Sequence, residues 1–383
     1  MERTVIGVPR ERKEKEGRVG LIPAQVRTLR EEGYVVIVEN NAGVLSGFPD
    51  REYIAAGALL APSPDRVYHH ADIVVKVKEP IPEEYQFLSL LHGKILFTYL
   101  HLAGVPSELT KLLLKEKVTA IAYEAVEEIV NGKRTFPLLM PMSKIAGTQA
   151  MRQAIRTKQV PCEELIAVII GGGTVGEAAL CEALAAGINS VFIFELRPER
   201  VCELSAQYGD SSATKVFIRK LSDLYGGAGA HILEAADIVV SGVLTPGAEA
   251  PKVLSGLELS SMKSGAYIAD VAIDQGGSTE WSRPTKPGET YKRGGVYFSC
   301  VPNIPGSTVP REATVALSEA TYATLNLIAL YKSIHGHNIA PLFKNFSGLR
   351  KGLQTWNGYL LNSAVAQKHQ LGDVLRDADE VFR

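Results

Sequence analysis

Gly171, Gly173 and Gly176 stand in the spacing G-x-G-x-x-G behind the apolar run Ile166–Ile170. They open a helical pattern that reaches Ala186, and a second apolar run then closes on Glu195. Each part has a use in holding a dinucleotide. Gly171 allows a tight turn, Gly173 lets the backbone approach a pyrophosphate, and Gly176 lets helix and strand pack closely, while the amides around Thr174 and Val175 face the phosphates. A carboxylate at Glu195 accepts hydrogen bonds from the adenosine ribose hydroxyls and repels a 2′-phosphate, so NAD is expected over NADP. Arg197 and Arg200 are the counterweight, because an arginine there accommodates a 2′-phosphate. Arg200 is kept among the cofactor-binding candidates, although the plainer reading makes both arginines solvated residues opening the next helix.

Four ionisable residues elsewhere suit other chemistry. Arg18, in EGRVG, carries a planar fork that pairs with a carboxylate through two bonds; the alternative is a solvated arginine in a basic run, which is how Arg10, Arg12 and Lys13 read. Lys78, in KVKEP, follows an apolar run, where a lysine commonly snorkels. His101 ends the strand-like FTYLH, and an imidazole there moves protons near neutrality. Asp274, in DVAIDQGG, and Val243 with Leu244, in VLTPG, begin loops behind strand-like runs, where open α/β sheets bind ligands. Asp270 reads as part of its strand. The other seven histidines lie in polar or loop contexts without the neighbours of a metal site, so no metal is expected. The four cysteines lack C-x-x-C spacing and read as free thiols.

These residues need a scaffold, and the chain supplies two. At 383 residues, 46% of them hydrophobic and 22% charged, the protein suits two globular domains. A net charge of −1 makes no electrostatic case for nucleic acid or an anionic membrane. The uncharged apolar stretches are too short and glycine-rich to span a bilayer, and the N-terminus lacks the apolar core of a signal peptide, so a cytoplasmic protein is expected. Strand and helix patterns alternate from residue 4 to 125 and again from the fingerprint to VYFSC, which implies parallel pairing. The tail turns helical and ends without a strand. The expected fold is α/β, two Rossmann-like doubly wound domains separated by a cleft. Residues 1–136 plus 306–383 form a substrate domain, and 137–305 an inserted NAD-binding domain.

Taken together, GVPRERKEKEGRVGLIPAQV, ADIVVKVKEPIPEEY, ILFTYLHLA, PLLMPMSKIAG, the glycine fingerprint, DVAIDQGGSTEWSRPT and CVPNIPGSTVPREAT resemble alanine dehydrogenase, the group related to the NAD-binding subunit of proton-translocating transhydrogenase. The resemblance runs nearly the full length in the family's order. It implies reversible oxidative deamination of L-alanine to pyruvate and ammonia with NAD, an amino acid and its 2-keto acid as the small-molecule partners, and a homo-oligomer, hexamer or dimer. By the same resemblance Arg18 and Lys78 bind the substrate carboxylate, His101 is the catalytic proton shuttle, and Asp274 lies near the nicotinamide. Met142, Ser143 and Asn303 line the substrate and cofactor pocket. The chain departs from the family pattern at Thr148, where an arginine is usual, and at Glu195, where aspartate is common. Two rivals remain: a dehydrogenase of another small amino acid or an opine-like secondary amine, and an NAD-binding protein without substrate chemistry.

Overall fold

Short runs rich in Val, Ile and Ala become strands buried on both faces, as parallel sheets between helix layers require. The computed structural model describes residues 3–209, 215–243 and 249–383. The chain divides into two compact units, residues 1–141 with 309–383, and residues 142–308.

The first unit is built on an eight-stranded sheet. Six of its strands are parallel: Val5–Val8, Val35–Glu39, Leu59–Ala61, Ile73–Val75, Ile95–Thr98 and Thr119–Ala122. In space they run third, second, first, fourth, fifth, sixth. That doubly wound order reverses direction between the first strand and the fourth, and the crevice outside the carboxyl ends at that point is where such sheets take ligands. The other two strands, Leu353–Trp356 and Tyr359–Leu360, are antiparallel and extend the sheet beyond Thr119–Ala122. They correct the expectation of a strandless tail. Asn357 and Gly358, with φ of 48° and 84°, make the left-handed two-residue turn that an Asn-Gly pair favours, and the short flanking runs were overshadowed by neighbouring helical patterns.

Helix Pro310–His335 packs back on this unit. Ala313, Leu317, Leu325, Ile328 and Ala329 are buried on one stripe. Thr314 Oγ1 and Ser318 Oγ accept the amides of Val19 and Ile22 at 3.3 and 3.2 Å. By length and composition alone this helix could cross a membrane, against the sequence reading that no stretch could. Its apolar stripe is, however, used against the N-terminal segment.

The second unit repeats the plan. Strands Ile166–Ile170, Ser190–Glu195, Lys215–Lys220, Ile238–Ser241, Tyr267–Asp270 and Val296–Ser299 are parallel in the same third-second-first-fourth-fifth-sixth order, with antiparallel Tyr291–Arg293 on the outer edge. Two apolar layers sandwich the sheet, one around Ile169, Leu180 and Ile193 and the other around Ile170, Leu233 and Ile268. Helix Met140–Arg156 belongs to the first layer through Ala146, Ala150, Met151 and Ala154. Both units are therefore Rossmann-like.

Candidate active site

In the first unit the candidate residues gather beyond the carboxyl ends of strands one, four and five. Arg18 is 3% exposed, and its guanidinium bonds Glu16 through Nε at 2.8 Å and an Nη at 2.6 Å. Burial pushes the Glu16 carboxyl up, but the Arg18 charge and its hydrogen bonds outweigh that and hold it down at about 2. The arginine fork is thus fixed by a carboxylate from its own segment.

Lys78 is 8% exposed. Its amide and that of Val77 donate to the two oxygens of Glu11 at 3.3 and 2.7 Å, and its carbonyl accepts Thr98 Oγ1 at 3.1 Å. Lys76, two residues earlier, is fully buried between Glu84 at 2.7 Å and Glu11 at 3.3 Å. Beside Lys78, Glu79 pairs with Lys13 while its Oε2 is buried without a hydrogen bond. Burial pushes the Glu79 carboxyl up, yet Lys13 and Lys78 together leave it below the ordinary range.

His101 follows the strand end in a left-handed conformation, φ 44° and ψ 37°. Its amide donates to Glu124 Oε1 at 2.7 Å, its Nδ1 lies 3.6 Å from the same oxygen, and its ring stacks on Tyr99 with centroids 5.7 Å apart. The imidazole is 42% exposed, so water and substrate reach it.

In the second unit the glycine turn has the predicted shape. Gly171 has φ +92°; a Cβ at Gly176 would stand 1.9 Å from the Gly171 carbonyl oxygen; a Cβ at Gly173 would meet nothing within 4 Å. The last fact leaves the start of helix Thr174–Ala185, with Thr174 and Val175, open to an incoming phosphate. Glu195 ends the second strand and accepts the Gly172 amide at 2.7 Å and the Arg197 amide at 2.9 Å. Burial raises its carboxyl, but the bonds from Arg197 and Gly172 leave it lowered overall.

Arg200 is not a solvated residue. Its Nε donates to the Gly172 carbonyl at 2.8 Å, and its other nitrogens pair with Glu177 and Glu203 at 2.6 and 3.2 Å. Arg197 likewise bonds Glu195. Arg12, read as a solvated cation, bonds Glu39, and Lys13 reaches Glu79. Arg12, Lys13 and Arg200 are each captured by a carboxylate distant in sequence, and Arg197 by one two residues away.

Asp274 is exposed in the segment Val271–Gln275, and its Oδ2 accepts the amide of Asn303 at 3.2 Å, tying the ends of two strands together. Asn303 is also left-handed, with φ 56°. Asp270, by contrast, is buried and accepts the amides of Ala272 and Ser278. Met142 is buried and Ser143 half-buried near the start of helix Met140–Arg156. Val243 follows strand Ile238–Ser241 and packs on the second apolar layer. Leu244 lies outside the described residues. Reading the sequence missed Glu11, Glu16, Glu79, Glu84, Tyr99 and Glu124; the first two sit in the charged run RERKEKEGR, and only its proximity to Arg18 could have drawn notice.

The fold and the glycine turn put the protein among the Rossmann-type dinucleotide-binding proteins. Residues 7–146 and 143–363 match the two families described as Alanine dehydrogenase/PNT, N-terminal domain and C-terminal domain. Alanine dehydrogenase of Methanococcus maripaludis is 38% identical over 382 residues, covering 96% of this chain and 97% of that one. The Bacillus subtilis alanine dehydrogenase is 38% identical over 378 residues, 95% of this chain and 94% of its own. A solved L-alanine dehydrogenase superposes with a TM-score of 0.82 at 36% identity, covering 96% and 99% of the two chains. The chain belongs to the alanine dehydrogenase/PNT family. Family and fold imply a nicotinamide dinucleotide cofactor, and the open face at Gly173 fits one.

Proposed function

We propose that this protein is an NAD-dependent L-alanine dehydrogenase that interconverts L-alanine with pyruvate and ammonia. The observation that carries the reading is a pair of buried cations, Arg18 and Lys78, at the strand ends that also present an exposed histidine. A protein that only binds a dinucleotide has no use for two desolvated cations at the carboxyl ends of its other sheet. NAD over NADP is supported by the Glu195 carboxylate at the end of the second strand and by the ion pairs that Arg197 and Arg200 make with neighbouring carboxylates.

Oxidation of alanine removes the Cα hydrogen with its electron pair; bound NAD supplies the acceptor. Arg18 and Lys78 hold the substrate carboxylate and so fix Cα. His101 takes a proton from the water that attacks the resulting imine carbon and returns one to the departing ammonia, with Glu124 setting its ring orientation. Asp274, anchored by the Asn303 amide, stabilises positive charge developing at nitrogen; Met142 and Ser143 complete the walls. The assembly is a cytoplasmic homo-oligomer, hexamer or dimer, which the exposed Leu330 and Ile334 on the long helix support and sedimentation tests.

The test is NADH formation at alkaline pH with L-alanine, L-serine, L-lysine and L-ornithine, with ammonia measured in parallel. Alanine turnover with equal ammonia release is expected. An N-substituted amino acid as product, or silence across the panel with intact NADH binding, would refute the proposal.

A further inference from the structure

The first strand of the first unit ends at Val8, yet the fourth continues as an irregular segment through Lys76, Val77 and Lys78. On one side this segment is still held by the fifth strand: the Lys76 amide donates to Phe97, the Tyr99 amide to the Val77 carbonyl, and Thr98 Oγ1 to the Lys78 carbonyl, at 3.1, 3.3 and 3.1 Å. On the other side the ladder has run out. Glu11 occupies that place, taking the Val77 amide at 2.7 Å and the Lys78 amide at 3.3 Å.

The arrangement is costly to build. Glu11, Lys76 and Glu84 are all buried, two carboxylates about one ammonium, and Tyr68 adds a hydroxyl on Glu84 at 3.3 Å. Packed hydrocarbon of the same volume stabilises an interior as well as a buried ion cluster does, or better. Hydrocarbon could not accept two backbone amides. Lys76 is the counterion that lets an acceptor with two oxygens stay at that depth.

We propose that Glu11 is a positioning residue for Lys78: its carboxylate replaces the missing strand at the sheet's switch point and fixes the backbone from which Lys78 reaches the substrate carboxylate. The inference rests on the reading that Lys78 binds that carboxylate. Glu11 does not touch substrate. It acts by holding the direction of a side chain that does, and a displacement of an ångström there is felt in binding.

The experiment compares Glu11→Gln and Glu11→Ala in the full chain with the wild type, reading KM for L-alanine, kcat, and the NADH dissociation constant by fluorescence. Expected is a KM raised about tenfold in the alanine variant and by less in the glutamine variant, which keeps one acceptor oxygen, with kcat within about threefold and NADH affinity unchanged. A folded alanine variant with wild-type KM overturns the proposal, as does a loss spread equally over KM, kcat and NADH binding, which marks general damage. Should neither variant fold, Thr98→Val loosens the same residue from the opposite side: a raised KM supports the anchoring and an unchanged one overturns it. No alanine turnover in the wild type would overturn the underlying reading as well, whereas wild-type turnover with an indifferent Glu11 overturns this inference alone.

Discussion

His101 and Asn303 hold left-handed backbone conformations, with φ of 44° and 56°, that cost a non-glycine residue about 1 to 2 kcal/mol. At His101 the cost is offset by the Glu124 carboxylate, which accepts the histidine amide and lies within reach of the ring. His101→Ala should abolish turnover while leaving NADH affinity within about twofold, measured by fluorescence titration; joint loss of both would mark a structural histidine. Glu195→Ser should remove the bond that occupies Arg197 and let that arginine meet a 2′-phosphate. The ratio of NADP to NAD turnover should then rise at least about tenfold, and an unchanged ratio would show that Glu195 does not select the cofactor. Candidate residues were readable where they stand behind strand-like runs or in a glycine spacing, as Lys78, His101, Asp274 and Gly171 do; Arg18, in a charged run, was readable only through the family resemblance. Their partners were not. Glu11, Glu16 and Glu79 look like any solvated acid in a charged sequence, and only burial, which depends on distant segments, turns each into a fixed acceptor; Glu124 is half-buried and is fixed by the amides of Leu100 and His101.

Elements were more legible, because a strand buried on both faces advertises itself: IVV, ILFT and TAIA are apolar but for one threonine in each of the last two, and entirely buried. What failed was short or edge-placed structure. Strand Leu59–Ala61, the hairpin Glu128–Val130 with Lys133–Thr135, and Tyr291–Arg293 have three residues each, too few for a period to show. Close approach between helices is equally invisible in a local pattern. Gly147, in helix Met140–Arg156, faces the Val175 carbonyl so closely that a Cβ would lie 2.0 Å from its oxygen. Gly147→Ala must push the helix off the glycine turn. It should lower stability by about 2 to 3 kcal/mol and weaken NADH binding, read by thermal melting and fluorescence; a variant with wild-type melting would show that the helices give way freely.

Across the whole molecule, the buried carboxylates of the first unit give stability opposing dependences on pH. Glu16 is held at about 2 against an ordinary 4.5, so its contribution is complete above 4.5 and lost as pH falls through 2. Glu11 behaves oppositely. Burial raises it to about 7, with Lys76 opposing and Glu84 and Glu16 adding to the rise. The native state therefore keeps a proton that the unfolded chain has lost, and stability declines as pH climbs from 4.5 to 7. Melting temperatures between pH 4.5 and 8 should fall with that slope in the wild type and lose it in Glu11→Gln; parallel curves would remove Glu11 as the cause.

The return of the chain to its first sheet also sets an order for synthesis. Strand Thr119–Ala122 waits for Leu353–Trp356, more than two hundred residues later, to cover its open edge. Residues 142–308 are contiguous and emerge from the ribosome in between. The inserted unit is thus free to fold while the sheet that begins the chain still has an unpaired rim, and that rim is the surface a nascent-chain chaperone would have reason to guard.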